Sequence, residues 1–290
     1  YRALRLSLRT PTRLATVAVG LVFVLSGYGI ASIFAMGDAR SNTANGGTGS
    51  VIDWTYYSPE AFQAELDAGR VVVMDFTADW CLNCKALKAA GYTPVTYDNL
   101  STGWEDAAKF GPFEKGDLTD RDRLDQIFAA YQPTAILHFA ALSQVGESMR
   151  DPGMYWHNNV SGSLTLFQAA VAAGCLNVVF SSTCATYGDQ DNVVLNENSP
   201  QYPINAYGAS KRAIEDMLRD FHNASGLDHV IFRYFNVAGA DPEAEVGEFH
   251  QPETHLIPLI LDAIDGKRDA LTVFGTDYET EDGTCIRDYI

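Results

Sequence analysis

Distinct hydropathy patterns follow one another along the 290 residues. Leu14–Ala35 runs 22 positions without a charge, and a helix needs about 20 apolar residues to cross a bilayer core. Arg2, Arg5, Arg9 and Arg13 stand before that run, so this flank is expected to stay cytoplasmic, with everything after Ala35 outside. A cleaved signal peptide, whose apolar region is usually shorter, and a buried core helix are the alternatives. Ser41–Ser50 is small, polar and glycine-rich, the composition of a flexible linker. Phe62 and Leu66 share one helical face within Pro59–Gly69. Val71, Val72, Val73, Met74 and Phe76 then predict a short buried strand.

Beyond this the pattern alternates. Strands are predicted at Pro94–Tyr97, Ala135–Phe139, Asn177–Ser181 and Val230–Tyr234. Helices are predicted at Arg121–Tyr131, Ser161–Ala173 and Tyr207–Phe221. Repeated β-α-β units with continuous apolar strands imply an α/β fold, a parallel sheet covered on both faces. No internal repeat is present.

Charge refines the picture. The formal net charge is −17, which argues against nucleic acid as a partner, since such binding begins with phosphate neutralisation. Five basic residues and one acid precede Val51, leaving 15 basic and 36 acidic residues for the remainder. That split suits a basic membrane flank and an acidic body. The first residue is Tyr1, from which a missing natural start is expected. Five cysteines (Cys81, Cys84, Cys175, Cys184, Cys285) are too few for a disulfide scaffold. Cys175 and Cys285 read as small core residues. His138, His157, His222, His229 and His250 read as core or surface residues, and no set of side chains is read as a metal site.

Cys81 and Cys84 form a Cys-x-x-Cys after a buried strand, in Phe76-Thr-Ala-Asp-Trp-Cys-Leu-Asn-Cys-Lys85. A thiol at a helix start has a lowered pKa, because the N-terminus stabilises thiolate. Cys81 would attack and Cys84 resolve the mixed disulfide. Half a zinc site, or chance, gives the same spacing. With Trp80 and the upstream apolar run, residues 1 to about 85 resemble the C-terminal part of bacterial membrane thiol:disulfide interchange proteins. The resemblance implies a membrane-anchored, thioredoxin-like oxidoreductase segment.

The remaining motifs are TYDNLSTG, KGDLTD, HFAAL, NNVSGS, SSTCATYGDQ, Tyr207 with Lys211, RYFNVAGA, ETHLIP, VFGTDY and EDGTCIRDYI. Asp98 ends a strand, where a carboxylate can accept both ribose hydroxyls of an adenosine and repel a 2′-phosphate. Taken alone, such an acid is more often an ordinary turn residue. Tyr207 and Lys211 lie four apart on one helical face. A nearby ammonium would lower the phenol's pKa and make it a general base, although this spacing is also common in surface pairs. Together the motifs make Lys85–Ile290 resemble the UDP-glucose 4-epimerases, extended members of the short-chain dehydrogenase/reductase superfamily.

That resemblance implies a Rossmann-like doubly wound sheet with a partial substrate-binding lobe, NAD as cofactor and a UDP-hexose as substrate. It leaves a homodimer through this half open, and gives it a cytoplasmic home. It implies Tyr207, Lys211 and Thr183 as catalytic residues. Cofactor contacts are implied for Asp98, Asn99, Asp117, Leu118, Phe139, Ala140, Asn158, Ser181, Tyr207, Lys211 and Tyr234. Substrate contacts are implied for Thr183, Asn236, His255, Leu256, Phe274 and Arg287. Related dehydratases carry an acid directly after the threonine, whereas Cys184 and Ala185 follow here, which favours epimerisation.

Three departures stand out. The family's Gly-x-x-Gly-x-x-Gly loop, which brings backbone N–H groups to a pyrophosphate, is replaced: Met74, Thr77 and Trp80 align with its glycines. Further substrate-lobe elements are implied beyond Ile290. The outside topology conflicts with a cytoplasmic epimerase. The expected organisation is therefore a chimera: 1–40 membrane helix and flanks, 41–50 linker, 51–84 thioredoxin-like fragment, 85–290 epimerase-like domain, with the imported strand completing the sheet.

Overall fold

The computed structural model describes residues 72–76, 82–190, 194–237, 247, 250, 252–273 and 275–288. The Leu14–Ala35 run, the linker, the Pro59–Gly69 helix, Thr77, Trp80, Cys81 and Phe274 lie outside the described residues. Among the described residues no helix is long and apolar enough to cross a membrane.

Six strands, β1 (Val72–Phe76), β2 (Thr93–Asp98), β3 (Phe113–Lys115), β4 (Ala135–His138), β5 (Asn177–Thr183) and β6 (Asp228–Tyr234), form one sheet in the order β3-β2-β1-β4-β5-β6. Every pairing is parallel. The valine-rich strand expected to complete the sheet lies at its centre. Met74 stands in register with Val95 of β2 on one side and Ile136 of β4 on the other. The expected domain boundary after Cys84 falls inside the next helix, α1 (Leu82–Ala89).

The helices α2 (Arg121–Tyr131), α5 (Gly162–Ala173) and α6 (Ala206–Ser225) carry the chain between later strands. Alternate strand residues point to opposite faces. Val95, Ile136, Val178 and Phe180 bury one face against Leu124 and Phe128 of α2, Leu166 and Phe167 of α5, and Ile214 and Leu218 of α6. Leu137 and Val179 point the other way, to Leu87 of α1. Each fully buried Leu, Ile or Phe contributes roughly 1.5–3 kcal/mol, so the first, larger layer dominates. Polar side chains start the helices. The carboxylate of Asp120 accepts from the backbone N–H of Arg123, and the Asn205 side chain accepts from that of Gly208, each worth about 1 kcal/mol.

Where the pattern misses an element, the element is short or irregular. β3 has three residues, too few to show an alternation. Between β4 and α5 the chain makes two short helices, α3 (Val145–Arg150) and α4 (Pro152–Tyr155), then a π-helical turn at Trp156–Ser161. None of these follows a clean 3.6 period. β5 runs on to Thr183 and α6 to Ser225, beyond the predicted ends at Ser181 and Phe221. A last helix, α7 (Leu256–Ile264), is the exception: Leu256, Ile257, Ile260, Leu261 and Ile264 recur at helical spacing, although it has no buried residue.

Candidate active site

The sheet reverses its order between β1 and β4, and open α/β sheets bind ligands at the strands' carboxyl ends beside such a switch. An open cleft lies there, lined by Asp98, Asn99, Asp117, Leu118, Ala140 and Asn158 among others. All six are residues for which cofactor contacts were expected.

Its walls are fixed by short-range bonds. Asp98 ends β2, and its Oδ1 accepts from Leu100 N at 2.6 Å, closing a turn in which Leu100 takes a φ of 60°. Across the cleft, Asp117 Oδ2 accepts from Asn99 Nδ2 at 2.8 Å, and Oδ1 accepts from the Thr119 backbone and hydroxyl at 2.9 and 2.6 Å. Burial pushes this carboxyl up, but the bonds from Thr119 and Asn99, with His157 nearby, hold it below the usual carboxylate range. The cleft therefore carries an anionic, acceptor-rich wall, suited to the hydroxyls of a neutral nucleoside. Gly116 keeps the floor close: a Cβ there would meet Tyr97 Oη at 2.3 Å.

The second group sits where β5 meets α6. Lys211 is 3% exposed, and its Nζ donates to Ser181 O at 2.8 Å while lying 4.9 Å from the Phe180 ring centroid. Burial lowers this ammonium to about 7, with the Glu215 carboxylate opposing. Tyr207 is shifted the other way. Its burial raises the phenol above its ordinary value, and a hydrogen bond with Thr183 offsets part of that. The expected lowering by Lys211 is not what this geometry gives, because the ammonium is turned to the Ser181 carbonyl. Thr183 also accepts from Ala185 N at 3.1 Å. Gly208 lets α6 approach this turn, since a Cβ there would stand 2.4 Å from Ala185 O.

The remaining expected residues are more dispersed. Phe139 packs with Leu87, Leu137 and Val179 on the second face. Tyr234 pairs in register with Thr183, stacks on Phe232 at 5.9 Å, and has its phenol raised by burial. Asn236 donates from both its backbone and its side chain to Asp288 O, at 3.1 and 2.8 Å. This draws the C-terminal segment in, and the Arg287 charge acts on the Cys184 thiol beside Thr183. His255 caps α7, and Leu256 opens it; both are exposed. Cys84 is disulfide-bonded and buried against Phe110.

Two residues that the motifs did not single out hold the site together. Asn159 is fully buried and uses every valence of its amide. Oδ1 accepts from Leu142 N and Asn158 Nδ2, while Nδ2 donates to Leu142 O and Ser210 Oγ, all between 2.9 and 3.0 Å. Ser210 Oγ in turn donates to Tyr207 O at 2.7 Å. The cleft wall is thereby tied to the tyrosine's helix. Glu215 is 0% exposed and gathers Ser182, Gln201 and Arg233. An acid four residues after Lys211 on an amphipathic helix was the available signal for the second; two asparagines in succession were the signal for the first.

A parallel sheet in this order, an acid closing its second strand and a Tyr-x-x-x-Lys helix against its fifth define a Rossmann-type protein of the short-chain dehydrogenase/reductase kind. A profile of the NAD dependent epimerase/dehydratase family matches residues 82–290. The chain belongs to that family. The UDP-glucose 4-epimerase of Rhizobium meliloti (strain 1021) is 56% identical over 207 residues, 71% of this chain and 63% of that protein. That of Rhizobium leguminosarum bv. trifolii is 54% identical, with the same coverage of 71% and 63%. The chain thus spans under two thirds of the length of these curated relatives. Among solved structures, UDP-glucose 4-epimerase from Brucella ovis in complex with NAD superposes with a TM-score of 0.72 at 48% identity, covering 76% of this chain and 69% of that one. The Bifidobacterium longum enzyme in complex with NAD+ and UDP gives a TM-score of 0.71 at 30% identity, covering 76% and 70%.

Proposed function

We propose that residues 82–290 carry the chemistry of an NAD-dependent epimerase acting at C4 of a UDP-hexose, interconverting UDP-glucose and UDP-galactose. The observation that carries this reading is the hydrogen-bonded pair of Thr183 and Tyr207 at the carboxyl end of β5, tied through Asn159 to a cleft with an anionic nucleoside wall. The relatives named above support the substrate class.

NAD fits the nucleoside end of the cleft. Asp98 would hold its ribose hydroxyls and Asp117 its adenine, with Asn99, Leu118, Ala140 and Asn158 around them. Bound there, NAD supplies an acceptor and returning donor of hydride. The chain's part is proton handling and orientation. Tyr207 takes the 4-hydroxyl proton and Thr183 orients that hydroxyl. Lys211, once its ammonium is shared with a ligand hydroxyl rather than Ser181 alone, stabilises the phenolate. Asn236, His255, Leu256, Phe274 and Arg287 are proposed to hold the nucleotide-sugar, with Arg287 suited to a diphosphate because guanidinium is always charged and bidentate. Cys184 and Ala185 after Thr183 bring no carboxylate for removing water, which favours epimerisation over dehydration.

The finer parts of the reading concern residues 1–85. Leu14–Ala35 is proposed as a membrane anchor and the Cys81/Cys84 segment as thioredoxin-like, joined to the epimerase-like domain. Resistance of the expressed chain to carbonate extraction checks the anchor; recovery of the intact chain in the soluble fraction contradicts it.

The function is tested with UDP-galactose and saturating NAD, using a variant in which residues 74–80 are replaced by a Gly-x-x-Gly-x-x-Gly segment. UDP-glucose should form, and Tyr207→Phe should slow it by about 10²–10⁴-fold, the usual contribution of a positioned acid–base group. Equal turnover in Tyr207→Phe, or accumulation of a dehydrated sugar, contradicts the proposal.

A further inference from the structure

We propose that His250, Glu253 and His255 form a binding site for a divalent cation of the zinc class at the entrance to α7. The three occupy positions i, i+3 and i+5 of His250-Gln251-Pro252-Glu253-Thr254-His255. One donor atom from each lies within 4.8 Å of the other two. Glu253 stands between the imidazoles: one carboxylate oxygen is 3.1 Å from His255 Nδ1 and the other 3.8 Å from His250 Nδ1. The rings themselves approach to 4.8 Å between centroids, tilted at 53°.

Donors held at about 2.0–2.2 Å around a tetrahedral ion stand roughly 3.3–3.5 Å apart. The two separations at Glu253, one to each carboxylate oxygen, bracket that spacing, so the donors already stand near the distances an ion requires. The carboxylate is already fixed, because its Oε1 accepts from Thr254 N and His255 N, each at 2.7 Å. Those two bonds explain the acid as the closure of the turn that leads into α7. They do not explain why two imidazoles converge on it from both sides. An ion entering between them takes the place of the proton between His255 and Glu253, which moves to Nε2 of the same neutral ring.

The donor set selects the ion. Two imidazole nitrogens and one carboxylate suit Zn²⁺ and its borderline neighbours, whereas Mg²⁺ and Ca²⁺ favour oxygen alone. The side chains of His250 and Glu253 are only 16% and 13% exposed, but that of His255 is 55% exposed. A fourth position is thus left toward solvent, as in zinc sites that keep three protein ligands and an exchangeable one.

Calorimetric titration of the full-length chain with Zn²⁺ tests this, together with the visible absorption of bound Co²⁺. Both use a Cys81→Ser/Cys84→Ser background, which removes the other soft-ligand pair. The expected result is one equivalent of Zn²⁺ and the intense visible bands of four-coordinate Co²⁺, with Mg²⁺ failing to compete. His250→Ala and, separately, Glu253→Gln should each weaken Zn²⁺ by about a hundredfold or more, beyond the 10–100-fold typical of outer-sphere partners. Glu253→Gln keeps an oxygen for the two backbone N–H groups, so the helix entrance stays formed. Absence of a one-to-one isotherm, or an unchanged affinity in both variants with parental circular dichroism, overturns the proposal.

Discussion

Lys211 shows how a functional side chain departs from its ordinary chemistry. Its ammonium is buried beside Ser181 and lowered to about 7, while in the unfolded chain it titrates near its ordinary value of 10.5. Between those values the unfolded state binds the extra proton. Stability therefore rises as pH climbs from about 7 to about 10.5, and below 7 the full cost of a buried charge is present. Lys211→Met should flatten that slope, measured as urea midpoints across the window, and should raise stability most at the acid end. A slope that survives the substitution assigns the titration elsewhere. Tyr-x-x-x-Lys could be seen in the chain, but the direction of the Lys211 ammonium could not, because that depends on which carbonyl β5 presents to it. The same holds for Asn159, whose partners Leu142 and Ser210 lie 17 and 51 residues away in sequence.

Between elements, a buried carboxylate on α6 is paired with an arginine on β6 beside the apolar contacts of the two. Glu215 on α6 is held below the usual carboxylate range: burial raises it, but bonds from Arg233, Ser182 and Gln201 outweigh burial. Arg233 on β6 reaches it at 2.7 Å and also donates to Tyr187 Oη at 3.0 Å. Removing Arg233 leaves Glu215 with only the longer contact from Arg219, at 3.4 Å, as a cationic partner, so Arg233→Met should be destabilising, by less than the roughly 3–5 kcal/mol expected for a wholly unpaired buried charge. Adding Glu215→Leu should recover part of that, as chemical denaturation of the single and double variants will show. If the double variant is less stable by the sum of both single losses, the pair is not acting as a unit. Elements with a long apolar period, such as Arg121–Tyr131, were legible to the residue. The three-residue β3 and the π-helical turn were not. β3 is too short to show a period and the turn breaks the 3.6 repeat, whereas the apolar residues of α7, Leu256, Ile257, Ile260, Leu261 and Ile264, do recur at helical spacing but are all exposed.

At the scale of the whole molecule, β1, which precedes the family match at residues 82–290, shares one sheet with the strands inside that match. The parallel order was readable from the alternation of apolar runs, and β1 takes its central place through backbone pairing with β2 and β4. Backbone pairing is indifferent to the residues beyond the strand's end, and here no glycine occurs between Gly69 and Gly91. A pyrophosphate needs several backbone N–H groups within about 3 Å, an approach that the family's glycines permit; Met74, which aligns with the first of them, lies in the middle of β1. Each charge-assisted bond lost is worth roughly 1.5–3 kcal/mol, so affinity should fall by orders of magnitude. The nucleoside wall of Asp98 and Asp117 and the Tyr207–Thr183 pair are untouched by this change. The direct measurement is the NAD content of the purified chain, beside its NAD affinity when Met74–Trp80 is replaced by a Gly-x-x-Gly-x-x-Gly segment. The account predicts a chain that purifies without NAD and a replacement that binds it; stoichiometric NAD in the unaltered chain would contradict it.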